Sequence, residues 1–267
     1  MKKQFTITAI LIVIITLSAC NGFQKLLKSN DYELKYQKAN AYFNEGDFDK
    51  ALLLYEQLLP IFKGMEKGEE VYYKYAQCHY ETRDYILAGY YFRRFANTFQ
   101  NSKFTEEAMF LSSYCYYLDS PKPSLDQETT NQAILEFELF LTRYPQSTRK
   151  DTCNILMDDL RKKLQQKSYN NAMLYSDLEY YKAAVVTLKN SLTDFPDSPY
   201  KEEILFTIVK NSYIYANNSI ENKKAERMQN TIKEYNTFVK NYEQSKYQRD
   251  ANRYYEKAME YVNTVKN

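Results

Sequence analysis

The side chains able to do chemistry in this chain are few. Acidic pairs stand at Glu69-Glu70, Glu106-Glu107, Asp158-Asp159 and Glu202-Glu203, and paired carboxylates are the raw material of general acid–base work. Cysteines stand at positions 20, 78, 115 and 153, beside a single histidine, His79. Three of the acidic pairs fall in or near first helical turns, where negative charge complements the helix dipole, so structural use outweighs catalysis. One histidine and no CxxC do not compose a metal site. GxGxxG, Walker A and HExxH patterns are missing, and every glycine precedes residue 90, so no phosphate-cradling loop can form later in the chain. The expectation is a protein that is not an enzyme and takes no cofactor or metal.

The elements that carry these residues announce themselves by a repeated stop signal. Tyr180 to Leu188 continues at helical spacing through Ser191 and Leu192 and ends at Phe195-Pro196-Asp197-Ser198-Pro199. Pro196 stops a helix, Ser198 suits an N-cap and Pro199 the first position of the next helix. The same aromatic-x-x-Ser punctuation occurs at Phe99…Ser102, Tyr144…Ser147 and Tyr242…Ser245. The serines lie 45, 51 and 47 residues apart, which is the mark of an internal repeat.

Each repeat reads as a helical hairpin. In the first, Ala39 and Tyr42 are followed by a turn at Gly46-Asp47 and then by Ala51, Tyr55 and Leu58. This spacing matches the tetratricopeptide pattern, in which a small residue on one helix makes room for the partner's large ring. The second hairpin has Ala76, His79, Ala88, Phe92 and Phe95, so His79 stands where the first has Tyr42 and reads as a packed interface residue. The third has Ala108, Leu111, Ala133, Phe137 and Phe140, with an insertion around Asp119 to Ser124. A long helical run with Ile155, Leu156, Leu160 and Leu164 on one face leads into the fourth, keyed by Ala172, Tyr175 and Ala184. The fifth has Thr231, Tyr235 and Phe238, and Ser245 with Gln248 forms a capping box for a closing helix. Eleven residues after Ala51, Ala88, Ala133, Ala184 and Thr231 stands an aromatic every time: Phe62, Phe99, Tyr144, Phe195 and Tyr242. The expected fold is all-α, a solenoid of about five tetratricopeptide-like hairpins with a C-terminal capping helix.

Composition agrees. The 267 residues are 44% hydrophobic with only five Gly and six Pro, which argues against a turn-rich β fold. There are 28 Tyr and no Trp; tyrosine suits thin helical layers because its ring is buried while its hydroxyl reaches water or backbone. Residues 1–19 read as a signal peptide, with Lys2 and Lys3 before an apolar run from Phe5 to Leu17 that is too short to span a membrane. Leu17-Ser18-Ala19-Cys20 resembles the bacterial lipobox, which implies a lipidated Cys20 as the first mature residue. Asn21 and the absence of an acidic run after it point to the periplasmic face of the outer membrane. Without Lys2 and Lys3 the chain carries 34 basic and 34 acidic residues, a balance that argues against nucleic acid. Residues 20–31 are expected to be a lipidated tether, 32–147 an N-terminal half of three repeats, and 148–267 a C-terminal half of two repeats and the closing helix. Cys78, Cys115 and Cys153, spaced near the repeat period, are expected at small buried positions, with a Cys78–Cys115 disulfide as the lesser alternative.

In tetratricopeptide arrays the first helices line a groove. Carried onto this chain, that gives Tyr36, Asn40, Phe43 and Asn44 from repeat one and Tyr73, Gln77, Tyr80 and Glu81 from repeat two. Amides there can bond an extended peptide backbone while aromatics pack its side chains.

Lipobox, five hairpins and the stretch Leu160-Arg161-Lys162-Lys163-Leu164, Ser168-Tyr169-Asn170-Asn171-Ala172, Tyr180 to Ala184 and Phe195 to Tyr200 together resemble the BamD outer-membrane assembly lipoproteins. The resemblance implies a subunit of the β-barrel assembly machinery. It would bind the periplasmic domains of the central barrel-assembly protein through its C-terminal repeats, and the C-terminal strands of unfolded outer-membrane proteins in its N-terminal groove. It also implies that Arg94 and Phe62, which fall where family members place an arginine and an aromatic, belong to that groove. An arginine that the family can present on the second helix of repeat four is Thr187 here. Alternatives are a glycan- or nutrient-capturing helical lipoprotein, disfavoured by the lack of Trp platforms, and a generic peptide-binding adaptor.

Overall fold

The computed structural model describes residues 22–266, and among these twelve helices form and no strand. They are α1 (22–28), α2 (Tyr32–Glu45), α3 (Phe48–Leu58), α4 (Glu66–Glu81), α5 (Tyr85–Thr98), α6 (Thr105–Asp119), α7 (Glu128–Arg143), α8 (Lys150–Asp177), α9 (Tyr181–Asp194), α10 (Lys201–Asn217), α11 (Glu221–Asn241) and α12 (Gln248–Lys266). Five hairpins, α2–α3 to α10–α11, and a closing helix make the tetratricopeptide-like all-α architecture. The chain divides into two compact units, one up to Pro121 with Gln127–Leu160, the other Lys122–Asp126 with everything from Arg161.

Small-to-large packing explains the hairpins. Ala51, Ala88, Ala133, Ala184 and Thr231 are wholly buried, and so are Tyr55, Phe92, Phe137 and Leu188 four residues on. The first unit's core joins Phe92, Phe95, Phe137, Phe140 and Leu160 in one cluster, and Leu54, Tyr55 and Leu58 in another. The second unit's core holds Leu188, Ile204, Ile208 and Phe238.

Three hairpin turns share one backbone device. Gly46, Arg83 and Glu179 adopt positive φ of 80°, 62° and 61°. In each, the next N–H reaches back five residues: Asp47 to the Tyr42 carbonyl, Asp84 to that of His79, Tyr180 to that of Tyr175. Asp47 and Asp84 then cap the following helix through Lys50 and Leu87 N–H.

Several local expectations change. Ser198 and Ser245 are not N-caps; the helices begin at Lys201 and Gln248, three residues later. Each serine Oγ instead accepts the N–H two residues on, from Tyr200 and from Tyr247, which closes the turn itself. Gln248 bonds Asn252 rather than completing a capping box. Ile155 is exposed, while Leu160 on the same helix is buried. Residues 22–28 of the segment read as a tether are helical, and Phe23 sits edge-on against Tyr42 at 5.6 Å.

Candidate functional site

The acidic pairs are structural clasps. A Glu-x-x-x-aromatic step recurs on the first helices as Glu69/Tyr73, Glu106/Phe110 and Glu202/Phe206, with Gln165/Tyr169 in the same place on α8. Each step receives the stop signal of the following hairpin. Ser102 Oγ donates to Glu69 at 2.6 Å, Ser147 Oγ to Glu106 at 2.6 Å and Ser245 Oγ to Glu202 at 2.7 Å. The ring stacks on the residue two beyond the serine: Tyr73 on Phe104 at 4.7 Å, Tyr169 on Tyr200 at 4.3 Å and Phe206 on Tyr247 at 4.6 Å. Phe110 takes the Arg149 guanidinium at 4.4 Å instead. The second carboxylate of each pair reaches back to a tyrosine. Tyr36 donates to Glu70, and burial together with the Glu203 carboxylate pushes the Tyr169 phenol up to about 12. Asp159 accepts from Tyr117.

The groove residues divide under this scheme. Tyr73 is buried among Phe92, Phe95 and Phe104, so its ring is not a groove surface; burial, then Glu107, raise its phenol far above the ordinary range. Tyr36, Asn40 and Phe43 do come together, around a residue that pattern reading missed. Lys74 donates to Asn40 Oδ1 at 2.9 Å, pairs with Glu70 at 2.7 Å and stands 5.3 Å over the Phe43 ring. Burial alone would raise the Glu70 carboxyl, but bonds from Lys74 and Tyr36 hold it below its usual value. Asn40 Oδ1 also accepts from the Tyr55 hydroxyl. The Glu70–Lys74 spacing of four on one helix was the signal for this hub. Gln77 and Tyr80 are half-buried further along α4, with Tyr80 edge-on to Tyr85, and Asn44 and Glu81 are exposed.

Phe62 is buried and in ring contact with Tyr36 at 5.7 Å. Arg94 is elsewhere. It lies on α5 over the Tyr72 ring at 5.9 Å, in a cleft of about 650 Å³ walled by Tyr72, Tyr91, Phe99 and the Gly64–Gly68 turn. The Tyr72 hydroxyl is buried there with no hydrogen-bond partner among the described residues, and burial pushes its phenol up to about 12.

In the second unit an apolar cleft of about 620 Å³ opens between Tyr175, Tyr180, Tyr181, Val186 and Tyr215. Thr187 lines it, but its hydroxyl donates to the Ala183 and Ala184 carbonyls of its own helix and offers no cation outward.

His79 stacks on Tyr91 at 5.3 Å with both ring nitrogens buried; Asp84 stands 3.4 Å from Nδ1 without hydrogen-bond geometry. Burial, opposed by Asp84, holds this imidazole below its ordinary value. Cys78, Cys115 and Cys153 are free, buried thiols, pushed up by burial to about 12, 12 and 11. No cluster of three metal-ligating residues occurs among the described residues, and none of their helices is long and apolar enough to cross a membrane. Cys20 lies outside the described residues.

Helical hairpins keyed by small-to-large packing and joined by serine–glutamate clasps define a tetratricopeptide-type repeat protein. Comparison with known proteins gives the family. The chain belongs to the YfiO family of outer membrane lipoproteins, whose model matches residues 29–227. It is 24% identical over 212 residues to a protein of Aquifex aeolicus (strain VF5) that bears the name outer membrane protein assembly factor BamD, covering 77% of this chain and 68% of that relative. The crystal structure of the P58(IPK) TPR domain aligns over 91% of this chain and 68% of its own at 13% identity, with a TM-score of 0.40.

Proposed function

We propose that this lipoprotein is a scaffold of outer-membrane β-barrel assembly, anchored on the periplasmic face of the outer membrane through an acylated Cys20. The observation that carries the reading is the family match over residues 29–227 beside a relative named for outer membrane protein assembly. Within the first unit, the face made by Tyr36, Asn40, Phe43 and Lys74, continued by Gln77, Tyr80, Glu81 and Asn44, receives the C-terminal strand of an unfolded outer-membrane protein. Lys74 and the amides bond its backbone carbonyls, and the half-buried rings pack its alternate side chains. Phe62 backs Tyr36 from beneath. The apolar cleft of Tyr175, Tyr180, Val186 and Tyr215 receives the periplasmic domains of the central barrel-assembly protein. With the Thr187 hydroxyl bonded to its own helix, apolar contact carries that docking in place of an arginine.

The test is co-purification from mild detergent through a C-terminal tag. Recovery of the barrel-assembly protein is expected, with its loss in a Tyr180→Glu/Val186→Glu variant that keeps its helical circular dichroism. A polysaccharide or nutrient porter recovered in its place would sink the reading.

A further inference from the structure

We propose that α1 and the adjoining start of α2 form a membrane-docking face, which lies on the phosphate-bearing lipid leaflet and orients the first unit on it. The inference rests on the proposed acylation of Cys20 and goes beyond it, from tethering to contact. An open cleft of about 610 Å³ between the two helices is walled by Phe23, Leu26, Leu34 and Tyr42 and edged by Lys25 and Lys38. No carboxylate among the described residues lines it. Lys25, Lys28 and Lys38 are exposed, and none has an ion-pair or hydrogen-bond partner among the described residues. The carboxylates close by are engaged: Asp31 accepts the Leu34 N–H at 2.9 Å, and Glu33 is held by Lys67 at 2.8 Å.

Covalent reach brings the start of α1 to the leaflet surface, and the lysines and apolar side chains then dock it. Only Asn21 separates Cys20 from Gly22, two residue steps that span at most about 7 Å, and the polar layer of each leaflet is itself roughly 5–7 Å thick. The helix that begins at residue 22 therefore starts within or at the edge of the headgroups. It cannot act as a leash, because Phe23 is seated on Tyr42 and Lys35 Nζ bonds the Leu27 carbonyl at 3.0 Å. Apolar side chains flanked by unpaired ammonium groups match a lipid surface carrying phosphates, and each such lysine is worth about fivefold in affinity for an anionic membrane.

The chain has no Trp, so a single introduced indole reports alone. The full lipoprotein carrying Leu34→Trp is reconstituted into vesicles of phosphatidylethanolamine and phosphatidylglycerol with brominated acyl chains. Its emission should shift to the blue and be quenched, whereas Leu139→Trp on α7 should be neither. Adding Lys25→Glu, Lys28→Glu and Lys38→Glu to Leu34→Trp should abolish quenching, with unchanged circular dichroism and the protein still sedimenting with its vesicles. Equal quenching at both positions, no quenching at Leu34→Trp, or quenching indifferent to charge reversal and salt would overturn the proposal. The mass of the mature chain reads acylation separately. If no acyl mass is found the anchor fails, and the same quenching comparison with added vesicles still decides the surface.

Discussion

Removing one hydroxyl from the stop signal should loosen two hairpins at once. Ser102 Oγ accepts the Phe104 N–H at 3.0 Å and donates to Glu69 at 2.6 Å. A hydrogen bond to a charged group contributes about 1.5–3 kcal/mol and a neutral one about 0.5–1.5 kcal/mol. Both partners are half-buried, so water replaces part of what is lost, and the lower ends apply. Ser102→Ala should therefore cost about 2 kcal/mol, of which about 1.5 is coupling to Glu69. The assay is urea unfolding followed by far-ultraviolet circular dichroism, run as a double-mutant cycle with Glu69→Gln. The fold supplies its own control. Ser198 makes the same turn bond, to Tyr200 N–H at 3.2 Å, but Gln165 stands where the other clasps have glutamate and reaches Asp197 instead. Ser198→Ala should lose only the turn bond, about 1 kcal/mol or less. Equal losses at Ser102 and Ser198, or strictly additive Ser102 and Glu69 variants, would refute the clasp.

Three further outcomes follow from geometry already described. Arg83→Gly and Glu179→Gly should each stabilise the fold by up to about 1 kcal/mol, since left-handed backbone costs a side-chain-bearing residue roughly that much, and a loss of stability at both would contradict it. Gly68→Ala should destabilise severely, by about 3 kcal/mol or more, because its methyl would lie 2.2 Å from the Phe62 carbonyl oxygen; a urea midpoint unchanged from the parent would show that the turn yields freely. Because His79 titrates lower when folded than its ordinary 6.5, the unfolded chain binds the extra proton as pH falls through that value. Its contribution is thus complete above that pH and lost on the acid side, and His79→Phe should flatten the stability slope between about pH 7 and about pH 5.

Periodic features were legible in the sequence because they are local. The small residue at the helix crossings and the large apolar side chain four residues on report on one hairpin, and both are buried where its helices meet. Contacts between hairpins were less visible. The acidic pairs advertised helix starts, yet their partners are serines 33 to 43 residues away that no local window joins. Tyr73 shows the same limit, since its position in the repeat matches Tyr36 but the following Phe104 closes over it. Lys74 carries neither an aromatic nor an amide signature, and its one mark in the sequence is the i,i+4 spacing to Glu70. Helix α1 could have been read, as Phe23, Leu26 and Leu27 lie at helical spacing.

The clasp is a head-to-tail joint: one end of a first helix offers serine and ring, and the next turns of that same helix offer glutamate and ring. Such a joint has no intrinsic end, and a chain built from it could in principle accept a neighbour indefinitely. Helix α12 breaks the rule. It carries the offering half at Ser245 and Tyr247, but Arg249 and Arg253 stand four and eight residues after that serine, where α6 has Glu106 and Phe110. A serine arriving from another molecule would meet a guanidinium with no acceptor to give it. Helix α12 thus covers the last hairpin without offering the receiving half of the clasp.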